Sequence, residues 1–206
     1  MSLTLLALTA AVAAGAGYVV ARKYKQDALV PEGEAAGAAD AKKDASGKKP
    51  ADAAATTGLP LELGDVVQAE GEERWLAGAL LAREGGRLVA AVFFAPEGAT
   101  QHAVAAFAAP RREIHWLVPA EADCPAEPPA TLEVSGTSFT RKSRLPVRLE
   151  RLGQGVPHVE DVGVWGSYEG GGREVALVVT SAGKTLAWRG RRLDDDEYER
   201  LGKGGD

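Results

Sequence analysis

From Leu59 onward the chain is cut into apolar runs of four to nine residues separated by glycine-rich turns, a cadence that suits antiparallel strands. The runs predict strands at 65–69, 74–83, 87–95, 101–108 and 113–118. A second set is predicted at 131–134, 138–142, 146–151, 162–169, 173–180 and 184–189. Glu84-Gly85-Gly86, Gly170-Gly171-Gly172 and Ala182-Gly183 supply residues that accept the positive φ of tight turns. Alanine is frequent enough over 89–109 that the pattern there also admits a helix. The segment PAEADCPAEPPA after Val118 has no period and reads as a connector between two halves, about 59–119 and 130–202. Leu61-Glu62-Leu63-Gly64 and Leu132-Glu133-Val134 open the halves similarly, which either a duplication or convergent hairpin chemistry explains.

The C-terminus carries a helix signal. Asp194 stands at an N-cap with Glu197 at N3, Leu193 and Tyr198 are spaced as a hydrophobic staple, and Gly202 suits a stop. The expected fold is therefore mainly β: an antiparallel sheet or barrel-like soluble domain, 59–206, of two β-rich halves with a short C-terminal helix. One transmembrane α-helix is expected to precede it.

That helix is read from residues 1–21, which carry no charge; Leu3 to Val20 is an unbroken uncharged run rich in Leu, Ala and Val. Eighteen helical residues reach roughly 27 Å, close to a ~30 Å hydrocarbon core. Arg22, Lys23, Tyr24 and Lys25 come directly after it and form the expected membrane-interface anchor. Ala11-Val12-Ala13 and Ala14-Gly15-Ala16 would also fit signal-peptide cleavage, but no basic n-region stands before them. The positive flank predicts that the rest of the chain stays in the cytoplasm, with membrane lipid a partner of the N-terminal helix. Residues 22–58 interleave Lys with Asp and Glu among Ala and Gly, and are expected to form a disordered polar linker. Lys42-Lys43 and Lys48-Lys49 offer a contact to anionic lipid, diluted by Asp40, Asp44 and Asp52.

Residues 59–206 hold 17 basic and 23 acidic side chains, so a phosphate backbone is repelled and nucleic acid is not an expected partner. Cys124 is the single cysteine, which excludes an intramolecular disulfide. His102, His115 and His158 are far apart, without HExxH spacing, and no metal is assigned to them. Ser135, Ser167 and Ser181 lack a GxSxG elbow, and Gly153-Gln154-Gly155 lacks a strand–GxGxxG–helix frame. Asp194–Glu197 lacks the spaced oxygens of a calcium loop. Trp116, Trp165 and Trp188 would either line a binding face or fill a core. No catalytic, cofactor-binding or metal residue is predicted, and no cofactor.

LELGDVVQAEGEERWLAGAL, IHWLVPAE, the segment from Pro128 to Gly155, and VWGSYEGGGREVALVVTSAGKTLAWRGRRLD form an ordered series. It resembles the bacterial family named domain of unknown function 4178 across about 60–202. The resemblance lies in Leu63-Gly64-Asp65, Trp116-Leu117 and Tyr168 with the turn and strands after it; an Ala-rich stretch departs from the family's aromatic strand over Leu88–Phe94. It implies a fold type and a bacterial source, and no reaction or catalytic residue. The expectation is a non-catalytic protein-interaction module on the cytoplasmic face of a bacterial inner membrane, with an unidentified protein partner. An exported envelope protein and an enzyme with an unrecognised site are the alternatives. A pocket in which a histidine and a carboxylate converge would favour the enzyme; a flat aromatic or edge-strand surface would favour binding.

Overall fold

In the computed structural model of this chain, the structure describes residues 54–97 and 100–203. The expected membrane helix, its anchor Arg22, Lys23, Tyr24 and Lys25, and the linker up to residue 53 lie outside the described residues. Among those described, no helix is long and apolar enough to cross a membrane.

The described residues form twelve strands: β1 Asp65–Ala69, β2 Glu72–Trp75, β3 Gly78–Glu84, β4 Arg87–Glu97, β5 Thr100–Phe107, β6 Ile114–Pro119, β7 Thr131–Val134, β8 Thr137–Gly153, β9 Val162–Glu169, β10 Glu174–Ser181, β11 Lys184–Leu193 and β12 Tyr198–Lys203. Four tight hairpin turns have a common cause. Glu70-Gly71, Gly85-Gly86, Ser135-Gly136 and Ala182-Gly183 each place two consecutive residues at positive φ. That geometry matches the twist of the flanking strands.

Strands in the order β3-β4-β5-β6-β11-β10-β9-β8 hydrogen-bond in sequence, and β8 returns to β3, so eight antiparallel strands close into a barrel. The two expected halves are therefore not separate units: β3 of the first pairs with β8 of the second, and β6 with β11. β8 accomplishes the closure because it is one strand of 17 residues rather than two, pairing first with β7 and then with β3 while β9 runs along its other side.

The C-terminal helix is also overturned; none of the elements among the described residues is a helix. Half of the expected capping box does form. The Asp194 N–H donates to Glu197 Oε2 at 2.8 Å, and the Glu197 N–H donates to the Asp194 carbonyl at 3.0 Å. These bonds close a single turn. Tyr198 then pairs with Ala69 and Gly202 with Val66, because β1 offers a full strand edge whose bonds and buried contacts outweigh a two-turn helix.

Side chains alternate across the barrel wall. Leu80, Val92, Phe94, Ala105, Phe107, Leu117, Leu149, Trp165, Leu177 and Trp188 point inward and form one cluster drawn from all eight strands. Trp188 meets Phe94 edge-on at 6.0 Å, and Trp165 meets Phe107 at 6.2 Å. Ala82, Ala90, Ala103 and Ala105 leave room for these rings, which is why the alanine-rich stretch is two strands and not a helix. Val156 and Val159 cover one end of this interior from the segment between β8 and β9.

The outer wall is covered twice. The small sheet β12-β1-β2 packs Val67 and Ala69, joined by Leu76 just after β2, on the outward residues of β3 to β6, including Leu81, Phe93, Val104 and Trp116. Ala55 packs against the same cluster, and Thr56 is buried. The β7–β8 hairpin and the connector pack Leu132, Val134 and Phe139 on Tyr168, Ala176 and Val178. Strands such as β3 and β10 are thus apolar on both faces.

Candidate functional site

β2 buries a charged side chain and exposes an aromatic one. Arg74 is 2% exposed and the neighbouring Trp75 is 44% exposed. Successive strand residues face opposite sides, so β1–β2 pairing decides the matter: Val67, which is buried, lies opposite Arg74, and partly exposed Val66 lies opposite Trp75.

Arg74 points into a parting of the barrel wall. The β5–β6 ladder ends at Ala103 and Leu117; beyond it β5 continues beside β4, and β6 beside β11. The Arg74 guanidinium bridges the fork, donating through one nitrogen to the carbonyls of Ala103 and Leu117, both at 2.8 Å. Glu72 Oε2 lies 3.4 Å from its other terminal nitrogen, and the guanidinium sits 3.6 Å from the centre of the Trp116 ring. A planar, permanently charged group is suited to this place, because it can serve carbonyls in its plane and a ring across its face.

Beside this bridge an open recess of about 540 Å³ runs along the outer wall. Trp116, Val118 and Pro119 contribute its apolar surface; Glu70, Glu72, His102, Arg189 and Arg191 are among its charged or titratable lining. The ions are largely paired: Arg191 with Glu70 at 2.5 Å, Arg189 with Glu174 at 3.3 Å, and His102 Nδ1 at 3.9 Å from Glu72. Val118 is 42% exposed at its side.

A second polar centre closes the other end of the barrel. Glu113 precedes β6, and His115 is the second residue of that strand, so both project to one side. His115 Nε2 lies 3.3 Å from Glu113 Oε2, Arg111 Nε is 3.2 Å from the same oxygen, and Lys142 lies 3.8 Å from Oε1. Lys142 also pairs with Glu169, which Arg192 approaches at 3.9 Å. The His115 hydrogen bond, aided by the charges of Arg111 and Lys142 and opposed by burial, holds the Glu113 carboxyl at about 2. Burial pushes the imidazole of His115 below its usual range, against Glu113. With the carboxylate ionised and the imidazole neutral, the contact requires the proton on Nε2. The imidazole is buried against the Phe107 ring, with the ring centres 4.8 Å apart.

The remaining singled-out residues fall elsewhere. His158 is exposed between β8 and β9, and His102 stands in the wall recess, so the three histidines are not brought together. Trp165 and Trp188 fill the barrel, while Trp116 lies under Arg74. Cys124 is half-buried in the connector, its thiol pushed up by burial. Ser167 faces Ser143 at 3.1 Å, Ser181 donates to the Val162 carbonyl at 2.8 Å, and Ser135 occupies the β7–β8 turn. Asp194 and Glu197 pair with Arg173 at 2.5 and 2.6 Å. Among the described residues no group of three or more His, Cys, Asp or Glu side chains is arranged to hold a metal ion.

Two centres were missed in the sequence. Glu113-x-His115 does carry a signal, since residues two apart on a strand share a face. Arg74 carries none that can be read without knowing the register.

Fold and site together define a side-chain-filled, eight-stranded antiparallel barrel with a three-stranded sheet on its wall and a recess beside that sheet. No protein family, no curated protein and no solved structure matches the chain.

Proposed function

We propose that this chain is a membrane-anchored, non-catalytic protein-interaction module at the cytoplasmic face of a bacterial inner membrane. The observation that carries the interaction reading is the polarity of β2, which buries a charged arginine beside an open recess and presents a tryptophan to solvent on its other face. Exposed aromatic surface next to a recess is characteristic of binding faces. The anchor rests on the uncharged run to Val20 and on Arg22, Lys23, Tyr24 and Lys25. The bacterial source rests on the family resemblance.

The test is affinity capture with the detergent-solubilised full-length chain, comparing wild type with Trp75→Ser. A captured protein lost in the variant supports the proposal; identical capture by both overturns this face as the site. For the topology, a C-terminal fluorescent-protein fusion should be bright and an alkaline-phosphatase fusion inactive. The reverse would support the exported reading.

An enzyme is the second reading, favoured by the convergence of His115 and Glu113 at the barrel end. Under that reading Glu113→Gln abolishes turnover of whatever substrate the chain is found to consume. Under the binding reading it changes stability and leaves capture intact.

A further inference from the structure

We propose that the free edge of β2 is a docking site for an extended, basic segment of a partner protein, whose cations meet Glu73 and Trp75 while the apolar side chains between them enter the recess against Val118. This rests on the interaction reading above and adds the chemistry of the partner.

Three observations converge on the edge. Among the described residues β2, in the order β12-β1-β2, pairs with β1 on one side only, and its other side offers backbone groups to a further strand, with the Trp75 carbonyl already accepting from the Ala77 N–H at 3.0 Å. The recess lies beside β2: Glu72 and Arg74 line it from that strand, and Val118 from β6. Val118 lines it and is exposed, and Trp75 is exposed on the other face of β2.

Charge selects the occupant. Glu70, Glu72 and Glu73 succeed one another along the β1–β2 turn and β2, and Glu73 is exposed and takes part in no ion pair among the described residues. The cations nearby are committed: Arg74 to the wall carbonyls and Glu72, Arg191 to Glu70, and Arg189 to Glu174. An added strand therefore meets uncompensated negative charge. Glu73 and Trp75 are two apart and share a face, so a segment with Lys or Arg at alternate positions sets one cation opposite Glu73 and the next over the Trp75 ring, while the apolar residues between them face the recess. An acidic segment is repelled at the same positions.

The probe is a fluorescein-labelled peptide of alternating lysine and valine, titrated against the full-length chain in a non-ionic detergent and read by anisotropy. Its glutamate–valine counterpart and a copy N-methylated on alternate amides are measured alongside. Saturable binding of the basic peptide is expected, weakened about tenfold or more by Glu73→Lys and by Trp75→Ser. Glu73→Lys should also raise the affinity for the acidic peptide. Glu133→Lys, on the remote strand β7, should leave both unchanged. N-methylation on the bonding edge should abolish binding, because the added strand loses its backbone donors. Equal binding of the N-methylated peptide, or equal weakening by Glu133→Lys, overturns edge docking in favour of diffuse charge attraction. If capture of a protein depends on Trp75 while the basic peptide has no advantage over the acidic one, the partner chemistry fails and the interaction reading stands.

Discussion

Replacing Arg74 tests the account of the barrel wall most directly. The side chain is buried, supplies the two carbonyls at the β5–β6 fork and stacks on Trp116. Arg74→Ala leaves both carbonyls without that donor, removes the stacked cation and opens a void. Hydrogen bonds from a charged donor contribute about 1.5–3 kcal/mol each and the stack about 1–2 kcal/mol, but they share one guanidinium and do not add. The expected loss is about 3–5 kcal/mol. Arg74→Lys keeps the charge without the planar fork, and should cost about 2 kcal/mol. Arg74→Met fills the void without stranding a buried ion, because Glu72 is half-exposed, and should fall between wild type and Ala. Urea denaturation monitored by tryptophan fluorescence gives the three values. A loss below about 0.5 kcal/mol for Arg74→Ala is what an ordinary surface arginine would show. It would refute the bridging role.

Acid should destabilise the domain in two stages. His115 has a folded pKa below its usual 6.5, so the unfolded state binds its proton first and stability falls as pH drops below that value. Glu113, at about 2 when folded against 4.5, loses its contribution as pH falls through that interval. After allowance for its partial exposure the second stage amounts to about 1–2 kcal/mol. His115→Gln should flatten the first stage in melting-temperature profiles and shrink the second, because the His115 hydrogen bond is the largest cause of the lowered Glu113 pKa. Gly190→Ala should cost about 3 kcal/mol in denaturation, because its Cβ would collide with the Trp116 carbonyl across the β6–β11 pair. Asp65→Ala should cost about 3 kcal/mol by the same assay. Its fully buried carboxylate accepts from the Glu62 N–H at 2.7 Å and lies 3.0 Å from Arg200.

Much of the strand pattern was legible, because residues such as Gly85-Gly86 and Ala182-Gly183 fix turns locally and the runs between them alternate. Closure was not, since nothing local joins Arg83 to Glu150. The C-terminus misled because Asp194 and Glu197 make the same bond in an isolated turn as in a helix; only the free edge of β1 makes the next residues a strand. At β2, Glu-Glu-Arg-Trp alone does not say which side chain is buried; pairing with β1, whose Val67 faces inward opposite Arg74, decides it. Of the candidate site, the aromatic content was visible and its exposure was not.

The long strand that closes the barrel also sets the order of events during synthesis. β3 is made early, and the strand it must pair with contributes partners such as Glu150, 67 residues after Arg83. Until then β3 is an unpaired edge, apolar on both faces, attached to a hairpin rich in alanine and phenylalanine. Such an edge invites pairing with neighbouring nascent chains. Closure over so long a loop slows folding and prolongs the exposure. Truncation before β8 should therefore yield aggregates rather than a half-barrel, and slower elongation between β6 and β8 should lower the yield of native protein.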